Sequence, residues 1–127
     1  MATEYFNAGN TAMQEGVSWE ETHRFRLLTK RFRYTLELFR DAYPSSFDSR
    51  MEKLREIQTL LGLANDAIVT AEMMDELGVG GGVREKARVR AEKKLAAARR
   101  YWHGNFESGT ELQRWCAYLK RYADSER

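Results

Sequence analysis

The chain has 127 residues, 43% of them hydrophobic and 31% charged, which allows one sizeable core and excludes two ordinary domains. Fifteen aromatic residues argue against disorder, and without an 18-residue apolar run or an N-terminal leader pattern the chain reads as a soluble, cytoplasmic protein with no membrane partner. The net charge of +2 is sorted into blocks: −4 over residues 1–22, +5 over 23–40, −5 over 41–82, +6 over 83–103 and 0 over 104–127.

One proline in the whole chain leaves long helices uninterrupted and points to an all-α fold. Residues 1–17 carry little periodicity and are expected to form an N-terminal arm or a short helix ahead of a single bundle over 18–127. Ser18 followed by Glu21 is a capping box, and the helical spacing after it predicts helix one over about 19–42. Phe25, Leu28, Phe32, Leu36 and Phe39 fall on its core stripe. Leu27, Tyr34 and Leu38 make a second apolar strip beside the polar stripe, so the basic stripe is expected to be bordered by protein on at least one side. Pro44, Ser45 and Ser46 interrupt the pattern, which resumes through Met51, Leu54, Ile57 or Gln58, Leu61, Ala64 or Asn65, Ile68 and Met73 as helix two, 47–77. Gly78 and Gly80 to Gly82 predict a turn, since each interior glycine costs a helix about 1 kcal/mol relative to alanine. Ala87, Ala91, Leu95, Ala98 and Trp102 give a narrow seam on helix three, 83–102. A break at Gly104, Asn105, Ser108 and Gly109 precedes a second capping box, Thr110 with Gln113, and helix four over 110–124, with Leu112, Trp115, Cys116, Leu119 and Tyr122 on its apolar side. Short connections favour an antiparallel four-helix bundle.

The basic excess sits on helices one and three. At about 100° per residue, His23, Arg26, Lys30, Arg33 and Glu37 share one stripe of helix one. Cations beside packed apolar groups attract phosphate oxygens more strongly than the same cations in bulk water. A lone cysteine and two histidines in different helices offer no metal site, and no nucleophile stands beside a base, so neither a cofactor nor a catalytic residue is expected.

His23, Arg26, Lys30, Arg31, Arg33 and Tyr34 stand in the order H-x-x-R-x-x-x-K-R-x-R-Y, and Leu54, Gln58, Leu61, Gly62, Asn65 and Asp66 in the order L-x-x-x-Q-x-x-L-G-x-x-N-D. Together, over about residues 19–103, these runs resemble the two signatures of the CHAD family, the conserved histidine α-helical domain. The resemblance implies an all-helical, non-enzymatic module that binds inorganic polyphosphate, and a setting at polyphosphate granules. It carries His23, Arg26, Lys30, Arg31 and Arg33 over as ligand contacts. Arg90 and Lys94 join them by charge and by the family's habit of a basic third helix, ahead of Arg84, Arg88 and Lys93. Asn65 and Asp66 are expected to support the site, with Asp66 pairing an arginine of helix one, and Gly62 to permit close helix packing. Family members usually hold two similar four-helix halves around a central cleft. This chain resembles the carboxy-terminal half alone, so a homodimer is expected to complete the cleft. A general nucleic-acid or polyanion binder and a helical adaptor are the competing readings, although no nucleic-acid motif is recognisable.

Overall fold

The computed structural model describes residues 1–107 and 109–125, with side chains as far as Arg121; Ser108 of the predicted break and the side chain of Tyr122 lie outside the described residues. Five α-helices follow in chain order: α1 (Ala2–Ala12), α2 (Trp19–Leu38), α3 (Phe47–Leu77), α4 (Gly81–Asn105) and α5 (Glu111–Ser125), with a single 3-10 turn at Arg40–Ala42. The all-α expectation holds, but the count of four does not: residues 2–12 add a helix. No strand occurs among the described residues.

The helix that sequence periodicity leaves ambiguous is at the centre of the core. Tyr5 and Phe6 of α1 are fully buried. Tyr5 stacks on Phe25 at 5.1 Å and Phe32 at 4.5 Å, while Phe6 meets Trp102, Phe106 and Trp115 at 5.6–5.8 Å. Such offset and edge-on ring pairs add about 0.5–1.5 kcal/mol each to the area they bury. Gly9 lets α1 lie directly on the Trp102 ring, and Asn10 Oδ1 accepts a hydrogen bond from Trp102 Nε1 at 2.9 Å. Only glycine fits there, because a side chain would overlap the indole.

Ser18 caps the helix, its Oγ accepting from the Glu21 backbone N–H at 3.3 Å, which is the Ser18 half of the predicted capping box. Helix α2 stops at Leu38, four residues before its predicted end, and Phe39 adopts φ −106°, ψ 11° ahead of the 3-10 turn. That change breaks the helical phase, so Phe39, expected in the core, is 57% exposed. Leu27, Tyr34 and Leu38 are exposed as well, so this second strip is uncovered; the basic stripe meets protein on the side of α3 instead, through Arg33 and Gln58.

Helix α3 changes its buried face along its length. Met51, Leu54, Ile57 and Leu61 enter the aromatic core, and beyond them only Ala64, Ala67 and Ala71 stay buried, so Met73 ends outside. Gly78 closes α3 in the left-handed region at φ 67°, its N–H bonded to the Asp75 and Met74 carbonyls. Helix α4 begins at Gly81, two residues early, since the first turn of a helix is not the interior position where glycine costs most. It packs back along α3 through Ala87, Ala91 and Ala98, the seam read from sequence. Helix α2 packs on α3, α1 on α2, and α5 on α1. Gly62 does not mediate a close approach: a Cβ there would meet nothing within 4 Å. Among the described residues, no helix is long and apolar enough to cross a membrane.

Candidate functional site

The rotation of α2 is set from inside. Thr22, Phe25, Thr29, Phe32 and Leu36 are buried, and Thr29 Oγ1 is tied both to the Tyr5 hydroxyl and to the Phe25 carbonyl, each at 2.9 Å. With that face committed, His23, Arg26, Lys30 and Arg33 stand half-buried along one flank of the helix. Arg33 locates the flank against α3: its Nη1 donates to Gln58 Oε1 at 2.9 Å, and its Nε lies 3.6 Å from Glu37 Oε1. Glu37 also holds Arg55 of α3 at 3.1 Å. Its hydrogen bonds to Glu52 and then Glu37 hold the Arg55 guanidinium above its usual pKa.

The predicted row is therefore not uniform. Arg33 is a partly neutralised brace, whereas His23, Arg26 and Lys30 have no carboxylate partner among the described residues. His23 Nδ1 and Arg26 Nε are buried without a hydrogen-bond partner, so their stems lie in protein and their remaining donors face outward. Arg31 stands apart. It is exposed on another side of α2, lining a small cleft with Met1 and Glu4 at the start of α1.

Helix α4 divides its cations in the same way. Arg84 and Arg88 both reach Asp75 of α3, at 3.2 and 3.5 Å. Lys86, Arg90, Lys93 and Lys94 have no ion pair among the described residues and, with Glu85, Val89 and Ala97 of the same helix, line an open groove of about 790 Å³. Lys86 and Arg90 also border a second groove of about 350 Å³ between α3 and α4, where Asp66 and Thr70 lie opposite them. Neither groove contains a residue of α2. The two basic rows stand on helices that both pack on α3, and α3 lies between them.

The supporting pair behaves differently from its expected role. Asp66 makes no ion pair with an α2 arginine; it is exposed on the α4 side, and its backbone carbonyl accepts from the Thr70 hydroxyl at 2.8 Å. Its place on the turn after Asn65 carries it past the α2 contact. Asn65 is half-buried, and its side chain makes no hydrogen bond among the described residues. The bracing is done by Gln58 and Glu37. Gln58 belongs to the second sequence run, and the Arg33 to Glu37 spacing of four is an ordinary helical ion-pair signal, so both were findable.

Few groups here are tuned for proton transfer. Burial pushes the Tyr5 phenol far above its usual value, and burial followed by the charges of Glu56 and Glu52 pushes Tyr101 up. Both hydroxyls stay protonated and serve packing. Among the described residues, no cluster of histidine, cysteine and carboxylate side chains could hold a metal ion.

Compared with protein-family models, the chain matches the CHAD domain over residues 7–75. The match takes in most of α1 as well as α2 and nearly all of α3, and it stops before α4, short of the span read from the two signatures. Neither the curated proteins nor the solved structures searched give a match.

Proposed function

The chain belongs to the CHAD domain family, which is associated with polyphosphate binding, and from that premise we propose that it is a non-enzymatic inorganic polyphosphate-binding module. The observation that carries the reading is the pair Arg26 and Lys30: two cations without carboxylate partners among the described residues, held half-buried on a helix whose rotation the core determines. Polyphosphate offers a line of charges with no bases to read, so its binder needs spaced, unneutralised donors more than a shaped pocket. His23 extends the row toward the start of α2, and Arg33 anchors its other end while keeping donors for a phosphate oxygen.

Arg90 and Lys94 of α4 form the second row of this proposal, and Arg31 contributes from the side. Asn65 and Asp66 stand on α3 between the rows, Asp66 across the α3–α4 groove from Lys86 and Arg90. Because α3 separates the two rows within one copy, a homodimer is the arrangement that turns them into one basic cleft. Such a module acts in the cytoplasm by attaching to polyphosphate, including its granular form.

The test is a titration with polyphosphates of defined length at several salt concentrations, with short DNA and RNA as competitors at about 150 mM salt. Expected is binding that strengthens with chain length and is not displaced by nucleic acid. Displacement by DNA or RNA supports a general polyanion binder instead, and phosphate release during the titration rejects the non-enzymatic reading.

A further inference from the structure

The cationic stripe of α2 does not end on a cation. Its spacings of three, four and three through His23, Arg26, Lys30 and Arg33 continue by four to Glu37, whose side chain is 32% exposed. One atom of that carboxylate, Oε1, meets guanidiniums from two helices: Arg33 Nε of α2 at 3.6 Å and Arg55 Nη2 of α3 at 3.1 Å. The 3.6 Å approach is too long for a hydrogen bond, and Arg33 Nε is buried without a hydrogen-bond partner. Gln58 stands at the same end of the row, its Oε1 engaged by Arg33 Nη1 and its Nε2 making no hydrogen bond among the described residues. Two guanidiniums thus converge on an anion that leaves a buried donor of one of them unused.

A carboxylate offers two oxygens in one plane, whereas a phosphate group spreads its oxygens tetrahedrally and can accept guanidinium forks from more than one side. We infer that Glu37 is a resident anion: its carboxylate fills a phosphate site between Arg33 and Arg55 and so closes the α2 row at Arg33. A phosphate chain lying along His23, Arg26 and Lys30 meets this fixed negative charge four residues past Arg33, in a partly buried setting where like charges repel more strongly than in bulk water. With the charge removed, both guanidiniums become available and the row continues from α2 onto α3. Glu52, the other partner of Arg55 at 2.5 Å, is 70% exposed and stands on α3 away from the α2 stripe, so it shares Arg55 without closing the row. The row's ligand rests on the polyphosphate reading above, while the site itself requires only an anion.

The experiment measures polyphosphate affinity against salt for the full chain and for Glu37→Gln, Glu37→Gln with Arg55→Ala, and Glu52→Gln, each checked for folding by circular dichroism. Glu37→Gln is expected to steepen the slope of log affinity against log salt by about 1.4, or about 0.7 for each freed guanidinium, so that its gain over wild type shrinks about seven-fold between about 50 and 200 mM salt. Adding Arg55→Ala is expected to take back about half of that steepening. Glu52→Gln changes the net charge equally and is expected to leave the slope in place. An unchanged slope in Glu37→Gln overturns the inference, as does an equal rise in Glu52→Gln, which reduces the effect to net charge. Inorganic phosphate, followed by NMR at the Arg33 and Arg55 side-chain N–H signals, keeps the two readings apart: Glu37→Gln is expected to respond and wild type is not. A response in a chain that does not bind polyphosphate removes the ligand reading alone, and no response in a chain that binds polyphosphate removes the resident-anion site alone.

Discussion

Replacing Gly9 with alanine tests how α1 is seated. The new Cβ would stand 2.7 Å from Trp102 Cε2, and closer still to Cζ2 and Cη2. Carbon atoms settle at about 3.5–4.0 Å, so clearing the nearest ring carbon requires α1 to withdraw by about 1.5 Å or more. The indole cannot yield, because Trp102 is fully buried, bonded to Asn10 and stacked on Phe106 at 4.5 Å. Overpacking of a tight core costs about 1–3 kcal/mol, and three ring carbons in the path place this site at the upper end. Alanine returns about 1 kcal/mol as the better helix former, leaving a net loss of about 2 kcal/mol. Urea denaturation followed by tryptophan fluorescence measures the loss directly. A double-mutant cycle then assigns it: with Trp102→Phe in the background, the smaller ring should shrink the Gly9→Ala penalty toward zero. If Gly9→Ala is neutral or stabilising in the wild-type background, α1 does not lie against Trp102 and the reasoning fails.

Arg26→Ala with Lys30→Ala should lower the slope of log affinity against log salt for polyphosphate by about 1.4, or about 0.7 for each lost phosphate contact, with stability unchanged within about 0.5 kcal/mol. Arg84→Ala with Arg88→Ala, which removes cations already paired to Asp75, should leave that slope in place; a fall equal to that of the α2 pair would refute the distinction between free and neutralised cations. Arg33→Ala should weaken binding and also cost about 1 kcal/mol of stability, read by thermal melting, because Gln58 and Glu37 lose a partly buried partner. Tyr5 titrates above its usual range when folded, so its contribution is complete below about pH 10 and is lost as pH rises, by about 1.4 kcal/mol per pH unit once the unfolded phenol ionises. Tyr5→Phe should remove that slope from alkaline denaturation, and an unchanged alkaline profile would show that Tyr5 is not buried.

The regular parts of the fold were legible because period and caps are local. Ser18 and Glu21 define the start of α2, the alanine seam predicts how α4 meets α3, and Pro44 and Gly78 mark real breaks. The flank of His23, Arg26, Lys30 and Arg33 was readable for the same reason. What stayed hidden depends on partners distant in sequence. Nothing in residues 2–12 shows that Gly9 must face Trp102, 93 positions away. Asp66 and Gln58 belong to one signature, yet only the crossing of α2 over α3 determines that Gln58 meets Arg33 while Asp66 turns toward α4.

By itself the sequence determined that the chain is helical, where its long helices run and which residues could form cationic rows, because hydrophobic period, capping and charge order act within a few turns of one segment. The tertiary structure decided which cations remain available. Arg33, Arg84 and Arg88 are held by Glu37 and Asp75, whereas Arg26, Lys30, Arg90 and Lys94 are not. The physical reason is that a helical wheel ranks directions around a single axis, while neutralisation is decided at the 3–4 Å scale by the neighbours that packing brings to each side chain.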